Sequence, residues 1–423
     1  MSLPRRRRGP ERRGQDGGVT RAGYKVVLRA PGVRFLLATS LVARLPVAMV
    51  NLAIILRVAH GTGSYGRAGA VTASFVLGTA LGSPALGRLA DTLGRRPVLV
   101  TASLGNTAGL VALALVPVGD SLPLFLLAAA TGLSLPPVAP AVRSLWRHLV
   151  PAEQTSSLYA IDATLQEVTF MVGPALVALS STLASPGAAL VLSGVFGLAG
   201  TLAVTTHPAT AGRSDPRRHT SLDGVPRPRA RTPALNVLSL TAGFFLTAIA
   251  AVEVAVVAFA GRHHDAHQAG LLLVLWSAGS LVGGLLFGSR VAHAGAFAVA
   301  PLMATAAMGF ALLVSATGVG PLYALLFLAG SAIAPGFSLL YDLVGRTAAP
   351  SVSVEAFSWV ASALQLGASA GVALGGVLVD AAGPSLSFAV GGGIALVASM
   401  VALLGSRVVA RAVVESTLPA LAD

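Results

Sequence analysis

The sequence predicts an all-α polytopic membrane protein, with twelve transmembrane helices arranged as two pseudo-symmetric six-helix bundles. Three observations carry that prediction. The 423-residue chain is 54% hydrophobic and 11% charged, with a mean hydropathy of +0.79, too apolar for a soluble protein of two or three domains. Its apolar residues fall into twelve runs, each near the roughly 20 residues needed to cross a hydrocarbon core. Its 29 basic residues gather in the amino-terminal tail and in alternate loops, the inside-positive pattern. The runs lack period-2 alternation, and lipid then leaves the helix as the spanning form.

Taken in order, residues 1–33 form a basic tail that includes Arg5 to Arg8, Arg12, Arg13, Arg21, Lys25 and Arg29. It reads as a disordered cytoplasmic segment able to touch anionic lipid. The next run, 34–57, is too long for the core of a cleavable signal and lacks a small-residue cleavage site, so it reads as the first span. Spans follow at 68–88, 97–118, 122–146, 156–182 and 187–206. These complete an amino-terminal bundle over 34–206. Residues 207–233, rich in Pro and Arg, are the longest polar interruption and read as a flexible cytoplasmic linker. A second bundle over 234–406 has spans at 234–260, 268–289, 296–316, 320–345, 354–379 and 384–406, followed by a tail at 407–423.

Charge fixes the expected orientation. With the amino terminus inside, 25 of the basic residues fall on the inner side and three, Arg57, Arg67 and Arg262, outside. Arg44 lies within the first span. An even number of crossings puts both termini in the cytoplasm. Heavy use of Arg, Ala, Gly and Val, with Lys25 the one lysine, points to a GC-rich genome. The expected location is a bacterial inner membrane.

An internal repeat supports the division into halves. Gly173-Pro174-Ala175-Leu176 recurs as Gly371-Val372-Ala373-Leu374, at an offset of 198. Pro136-Pro137 and Arg143 recur as Pro335-Gly336 and Asp342, at 199. The Gly87 to Gly94 turn recurs as Gly288 to Gly295, with Ala292 in place of Asp91.

Several functions are disfavoured at this point. A nucleic-acid surface is not needed to explain the positive charge, because topology accounts for its distribution. The chain has no cysteine, and its histidines show no metal-ligand spacing. His263, His264, Asp265 and His267 cluster in one outer loop and read as solvated. Neither a phosphate loop nor a kinase signature nor a nucleophile elbow is present, so direct ATP drive is unsupported and no cofactor is expected. A membrane sensor or lipid-modifying enzyme is the remaining rival class, but the interfacial loops hold no clustered catalytic set.

Ionisable side chains at membrane depth face a cavity or a partner, which makes them functional candidates. Arg44, Asp162, Glu167 and Glu253 qualify. Arg44 and Glu167 lie about 10 and 11 residues into outward-running spans, so at ~1.5 Å per residue both sit roughly 15 Å deep. They are expected to pair. Glu167 is the first choice for a proton carrier, with Arg44 and Asp162 as coupling partners. The alternative is a structural Arg–Glu pair that fixes packing. Glu253 falls opposite Asn51 in the repeat, and Glu167 opposite Gln365. Asn51, Glu253, Gln166 and Gln365 are therefore either substrate-cavity groups or helix–helix glue. Arg143 and Arg147 are assigned to topology and the inner gate, and Asp342 with Arg346 to an i,i+4 pair. Trp146, Trp276 and Trp359 serve as interfacial anchors or as substrate platforms.

Residues 87–97 read GRLADTLGRRP, a basic turn between two spans. Gly87 and Gly94 allow close backbone approach and positive φ, and Pro97 suits the first turn of the next helix. The stretch resembles the signature loop of the major facilitator superfamily between transmembrane helices 2 and 3, with Gly87, Leu89, Asp91, Gly94, Arg95 and Arg96 in register. In that family the aspartate holds the two halves together on the cytoplasmic side in the outward-open state, which implies that role for Asp91 with Arg95 and Arg96 as partners. Gly173 and Pro174 resemble the helix 5 antiporter motif of the drug-efflux branches, where the helix bends. Thr169, Val177 and Ala178 stand where that motif usually has glycines. The resemblance covers residues 34–406. It implies neighbouring first and fifth helices, rocking of two bundles about a central site, and proton-coupled export of a small organic molecule by a monomer. Uptake or facilitated transport of a sugar or other metabolite is the alternative within the same fold.

Overall fold

The computed structural model describes residues 26–118, 122–211, 228–262, 266–292 and 295–417. The basic tail through residue 25, residues 212–227 of the linker, His263, His264, Asp265 and residues 418–423 lie outside the described residues. The described residues contain twelve helices long and apolar enough to cross a membrane. None of the described residues is in a strand.

The first half comprises α1 (Val33–Thr62), α2 (Tyr65–Leu93), α3 (Arg95–Leu115), α4 (Leu122–Leu133 continued by Val138–Leu149), α5 (Ala152–Leu183) and α6 (Pro186–Thr206). The second comprises α7 (Pro233–Arg262), α8 (Ala266–Ala292), α9 (Val299–Leu312), α10 (Val319–Gly330 continued by Ile333–Thr347), α11 (Ser353–Ala382) and α12 (Pro384–Thr417). Most helices outrun their apolar runs by several residues. The largest excess is in α12, where residues 407–417, read from the sequence as tail, are helical. There Val409 is buried, and Ser416 Oγ donates to the Arg346 carbonyl at 2.7 Å.

Two spans are broken in the middle. Pro136 and Pro137 supply no N–H and push their predecessors out of helical geometry, which ends the first segment of α4 at Leu133. In α10 the Pro335 ring would meet the carbonyl of Ser331, so the helix restarts at Ile333. The repeated proline sites are thus the same interruption made twice.

Packing repeats with the sequence. α1 packs on α5 and α6, α2 on α4, and α3 on α6; six helices later, α7 packs on α11 and α12, α8 on α10, and α9 on α12. The halves meet through α2 against α11 and α5 against α8, a pair of seams that the same six-helix shift exchanges. Exposed Leu81, Leu104, Leu115, Leu183, Met308 and Leu404 belong to the apolar exterior that a bilayer requires.

The two ends of the molecule differ. At the end that carries the 87–97 turn, Ile333 through Gly345 of α10 are buried without interruption, as are Pro140 through Trp146 of α4. One apolar cluster there joins both halves, from Leu36 and Trp146 to Leu340 and Phe357. Toward the other end, a cluster built on Met49, Ile54, Phe75, Leu110 and Leu190 contains α1–α6 residues alone. Phe170, Met171 and Val172 of α5 are exposed in succession, an arc wider than half the helix circumference at about 100° per residue. The halves are thus packed together at the turn end, the closed end, and the buried apolar clusters toward the opposite end are separate for each half.

Candidate functional site

At the closed end Gly94 adopts φ 100°, ψ 147°, a region that favours glycine, and this reverses the chain between α2 and α3. Asp91, one turn earlier, is 3% exposed. Its carboxylate accepts the backbone N–H of Val354 at 3.2 Å and of Glu355 at 2.9 Å. These are first-turn donors of α11 that have no acceptor within their own helix. Both of these bonds reach the other half of the molecule, whereas the sequence pointed to Arg95 and Arg96. Arg95 is close enough to act on Asp91 electrostatically, and Arg96 is exposed.

The α2–α11 seam continues above Asp91. A Cβ on Gly87 would stand 2.9 Å from Ser358 Cβ and 3.0 Å from Glu355 Cα, so glycine there permits the contact. Ser83 Oγ donates to the Ser358 carbonyl at 3.4 Å, and Ser362 Oγ to the Ala80 carbonyl at 2.8 Å. Arg147 Nη1 donates to the Ala348 carbonyl at 3.3 Å, and Tyr159 packs on Gly345 and against the Phe357 ring.

Deeper in the first half, three charges meet. Asp162 of α5, wholly buried, accepts Arg44 Nη2 from α1 on Oδ1 and Arg143 Nε from α4 on Oδ2, both at 2.6 Å. Arg143 also donates through Nη2 to Gln166 Oε1 at 2.9 Å. Its guanidinium lies 3.7 Å from the centre of the Tyr341 ring of α10, in the other half. Two guanidiniums thus share one carboxylate, and Arg44 Nε and Nη1 have no hydrogen-bond partner. The expected Arg44–Glu167 pair does not form. Asp162 lies five residues nearer the closed end on α5 and takes the guanidinium instead, with charge-assisted bonds that compensate for burial.

Glu167 lies on the α5–α8 seam, where Oε1 accepts the hydroxyl of Ser280 at 3.1 Å. Glu253 of α7 is accessible and near enough to Glu167 for their charges to interact. Asn51 and Gln365 are half-buried, and Asn51 Oδ1 has no partner. Gly173 seats α5 on α1, since a Cβ there would approach Ala48 Cβ to 2.6 Å. α5 runs unbroken through Pro174.

Asp342 and Arg346 pair at 2.8 Å, as their spacing predicts. Trp146 and Trp276 are buried, so both are core residues and neither an interfacial anchor nor an accessible platform. Half-buried Trp359 lies 4.5 Å from the Arg231 guanidinium. Among the described residues no three His, Cys, Asp or Glu side chains gather as a metal site. Tyr341 and Ser280 escaped sequence reasoning, as did the place of Arg143 in the buried cluster. Gly279-x-x-x-Gly283 overlapping Ser280-x-x-x-Gly284 was the available signal for Ser280, because small residues at that spacing let helices approach.

Comparison with known proteins agrees with this architecture. The family profile described as Major Facilitator Superfamily matches residues 36–261. No curated protein sequence matches the chain. Among solved structures, the human organic anion transporter MFSD10 (TETRAN) is 19% identical, with a TM-score of 0.68 over 89% of this chain and 99% of that one. A bacterial homologue of the iron transporter ferroportin, in an outward-facing state, is 16% identical with a TM-score of 0.69 over 89% and 98%. The proton:xylose symporter XylE is 14% identical, at 0.65 over 87% and 94%. With a family profile spanning more than half its length and twelve helices packed as two matching sets of six, this chain belongs to the major facilitator superfamily.

Proposed function

We propose that this multi-pass membrane protein is a secondary active transporter that exports a small organic molecule in exchange for protons. Family membership supports small-molecule transport; direction and coupling are the further reading. The inside-positive charge bias makes the closed end cytoplasmic and puts both termini there, in a bacterial inner membrane. The conformation is then outward-open, and transport follows when the α2–α11 and α5–α8 seams exchange open and closed ends. Protein, protons and substrate suffice, with a monomer as the working unit.

One observation carries the proton coupling. Glu167 is a carboxylate at a contact between the halves, within electrostatic reach of Glu253 and bonded to a neutral hydroxyl rather than to an arginine. Asp162, by contrast, is held by two guanidiniums, fixing α1, α4 and α5 to one another. Glu167 is therefore the proton carrier, and Arg44 and Asp162 form its rigid support. Asn51, Glu253, Gln166 and Gln365 offer polar groups to substrate.

The test is reconstitution into liposomes with an imposed pH gradient and a panel of labelled organic compounds. An outward-directed flux that grows with the gradient in the native protein, and loses that dependence in Glu167→Gln, is the expected result. A flux indifferent to the gradient in both proteins removes proton coupling. Accumulation inside with protons moving in the same direction selects symport, the activity of the proton:xylose symporter XylE.

A further inference from the structure

We propose that Ser280 of α8 is the positioning residue that links protonation of Glu167 to the contact between the two halves; the inference rests on Glu167 being the proton carrier. Ser280 is wholly buried. Its Oγ accepts the backbone N–H of Ala334 at 3.1 Å and donates to Glu167 Oε1 at 3.1 Å. Ala334 is the second residue of the restarted segment of α10, so its amide has no acceptor within the helix. A hydroxyl has one proton and two lone pairs. With one lone pair committed to Ala334, the proton is aimed across the seam at the carboxylate.

Ionised Glu167 thus receives a charge-assisted bond from the opposite half, supported by the break in α10. Protonation removes the charge. The acid proton can reach the second lone pair of Ser280 only if the hydroxyl proton turns away, so the seam keeps at most a neutral bond. Gly284, one turn along α8, marks the same three-helix junction, since a Cβ there would meet Ala334 Cβ at 2.9 Å and Thr164 Oγ1 at 3.1 Å. At the α2–α11 seam the serine hydroxyls donate to the carbonyls of Ala80 and Ser358, and the carboxylate there, Asp91, accepts backbone N–H groups of α11 instead of a hydroxyl.

The groups that act on Glu167 are few. Glu253 of α7 and Tyr341 of α10 lie within electrostatic reach of it. Arg44 of α1 and Arg143 of α4 are bonded to Asp162. α6 has no titratable residue, and the titratable residues of α8, His267 and Arg290, lie near its ends.

The test needs no substrate. The full chain in lipid nanodiscs is titrated by infrared difference spectroscopy of the carboxylic acid stretch, with Glu167→Gln identifying the Glu167 band. A hydroxyl that donates to the ionised form favours that form. Exchanging a charge-assisted bond for none of that kind is worth about fivefold in proton affinity, so Ser280→Ala is expected to raise the midpoint of that band by about 0.7 pH unit. Ser280→Cys, a near-isostere with a weaker donor, is expected to give a smaller rise and serves if the alanine variant does not fold. A Glu167 band that titrates at the native midpoint in both variants overturns the inference and leaves proton coupling standing. Lower thermal stability at an unchanged midpoint also overturns it, because packing alone then explains Ser280. If Glu167→Gln removes no titrating band, the proton-carrier reading fails and this inference with it.

Discussion

Replacing Asp162 by asparagine tests the charge cluster that joins α1, α4 and α5. The side chain keeps its shape and volume but exchanges one acceptor oxygen for an NH2 group. Of the two 2.6 Å bonds, from Arg44 Nη2 and Arg143 Nε, one can survive on the remaining oxygen. The other becomes a donor facing a donor. Both guanidiniums also lose their counter-charge at a site where all three side chains are at most 3% exposed. Breaking a buried pair by removing one partner costs roughly 3–5 kcal/mol, and here one removal strands two cations, so the upper part of that range is expected. Denaturant-induced unfolding in detergent, followed by tryptophan fluorescence, measures the loss. Adding Arg44→Met to Asp162→Asn removes one stranded charge, while Arg143 keeps Gln166 and the Tyr341 ring. The double variant should recover at least about 1 kcal/mol relative to Asp162→Asn, a coupling that neighbouring charges produce and independent sites do not. A loss within about 0.5 kcal/mol for Asp162→Asn, the level of an ordinary surface change, or simple additivity in the cycle, refutes the account.

Two further outcomes are expected. Tyr341→Leu takes away the ring 3.7 Å from Arg143, and a desolvated cation–π contact is worth about 2 kcal/mol; Tyr341→Phe should retain most of that in the same unfolding assay. Gly87→Val forces a side chain against Ser358 and the Glu355 backbone, an overpacking of about 1–3 kcal/mol that should loosen the closed end. A single cysteine at Ser156, buried there and without a hydrogen-bond partner, reports the change, because the chain has no other thiol. Its labelling by a soluble maleimide should accelerate in the Gly87 variant and hardly change in Leu81→Val, which alters an exposed residue of the same helix.

The spans were legible because lipid imposes one length and one composition on every crossing, and a run such as 187–206 has no other physical use. Their ends were less so. Helical hydrogen bonding continues past the hydrocarbon boundary, and Arg407 and Arg411 remain helical because Val409 packs on the core. The depth argument identified Arg44, Asp162 and Glu167 but mispaired them. Rise per residue gives height and not azimuth, and Asp162 was nearer to Arg44 than a count from the span edge suggested. Tyr341 and Ser280 could not be found by the same reasoning. Neither carries a charge, and each matters through a neighbour supplied by the other half, which only the packing of α5 against α8 and α10 brings within reach. The serines at 83 and 362 were missed for the same reason: their acceptors are main-chain carbonyls, and every residue has one.

Asp91 accepts from main-chain amides at the start of α11, and the donating side of this contact is consequently indifferent to the identity of residues 354 and 355. Mutational drift at those two positions leaves the amides in place provided that a helix still begins there and neither becomes proline, whereas drift at position 91 removes the contact at once. Selection on this fastening is therefore one-sided, concentrated on a single carboxylate, and covariation across the contact would not reveal that the two segments touch.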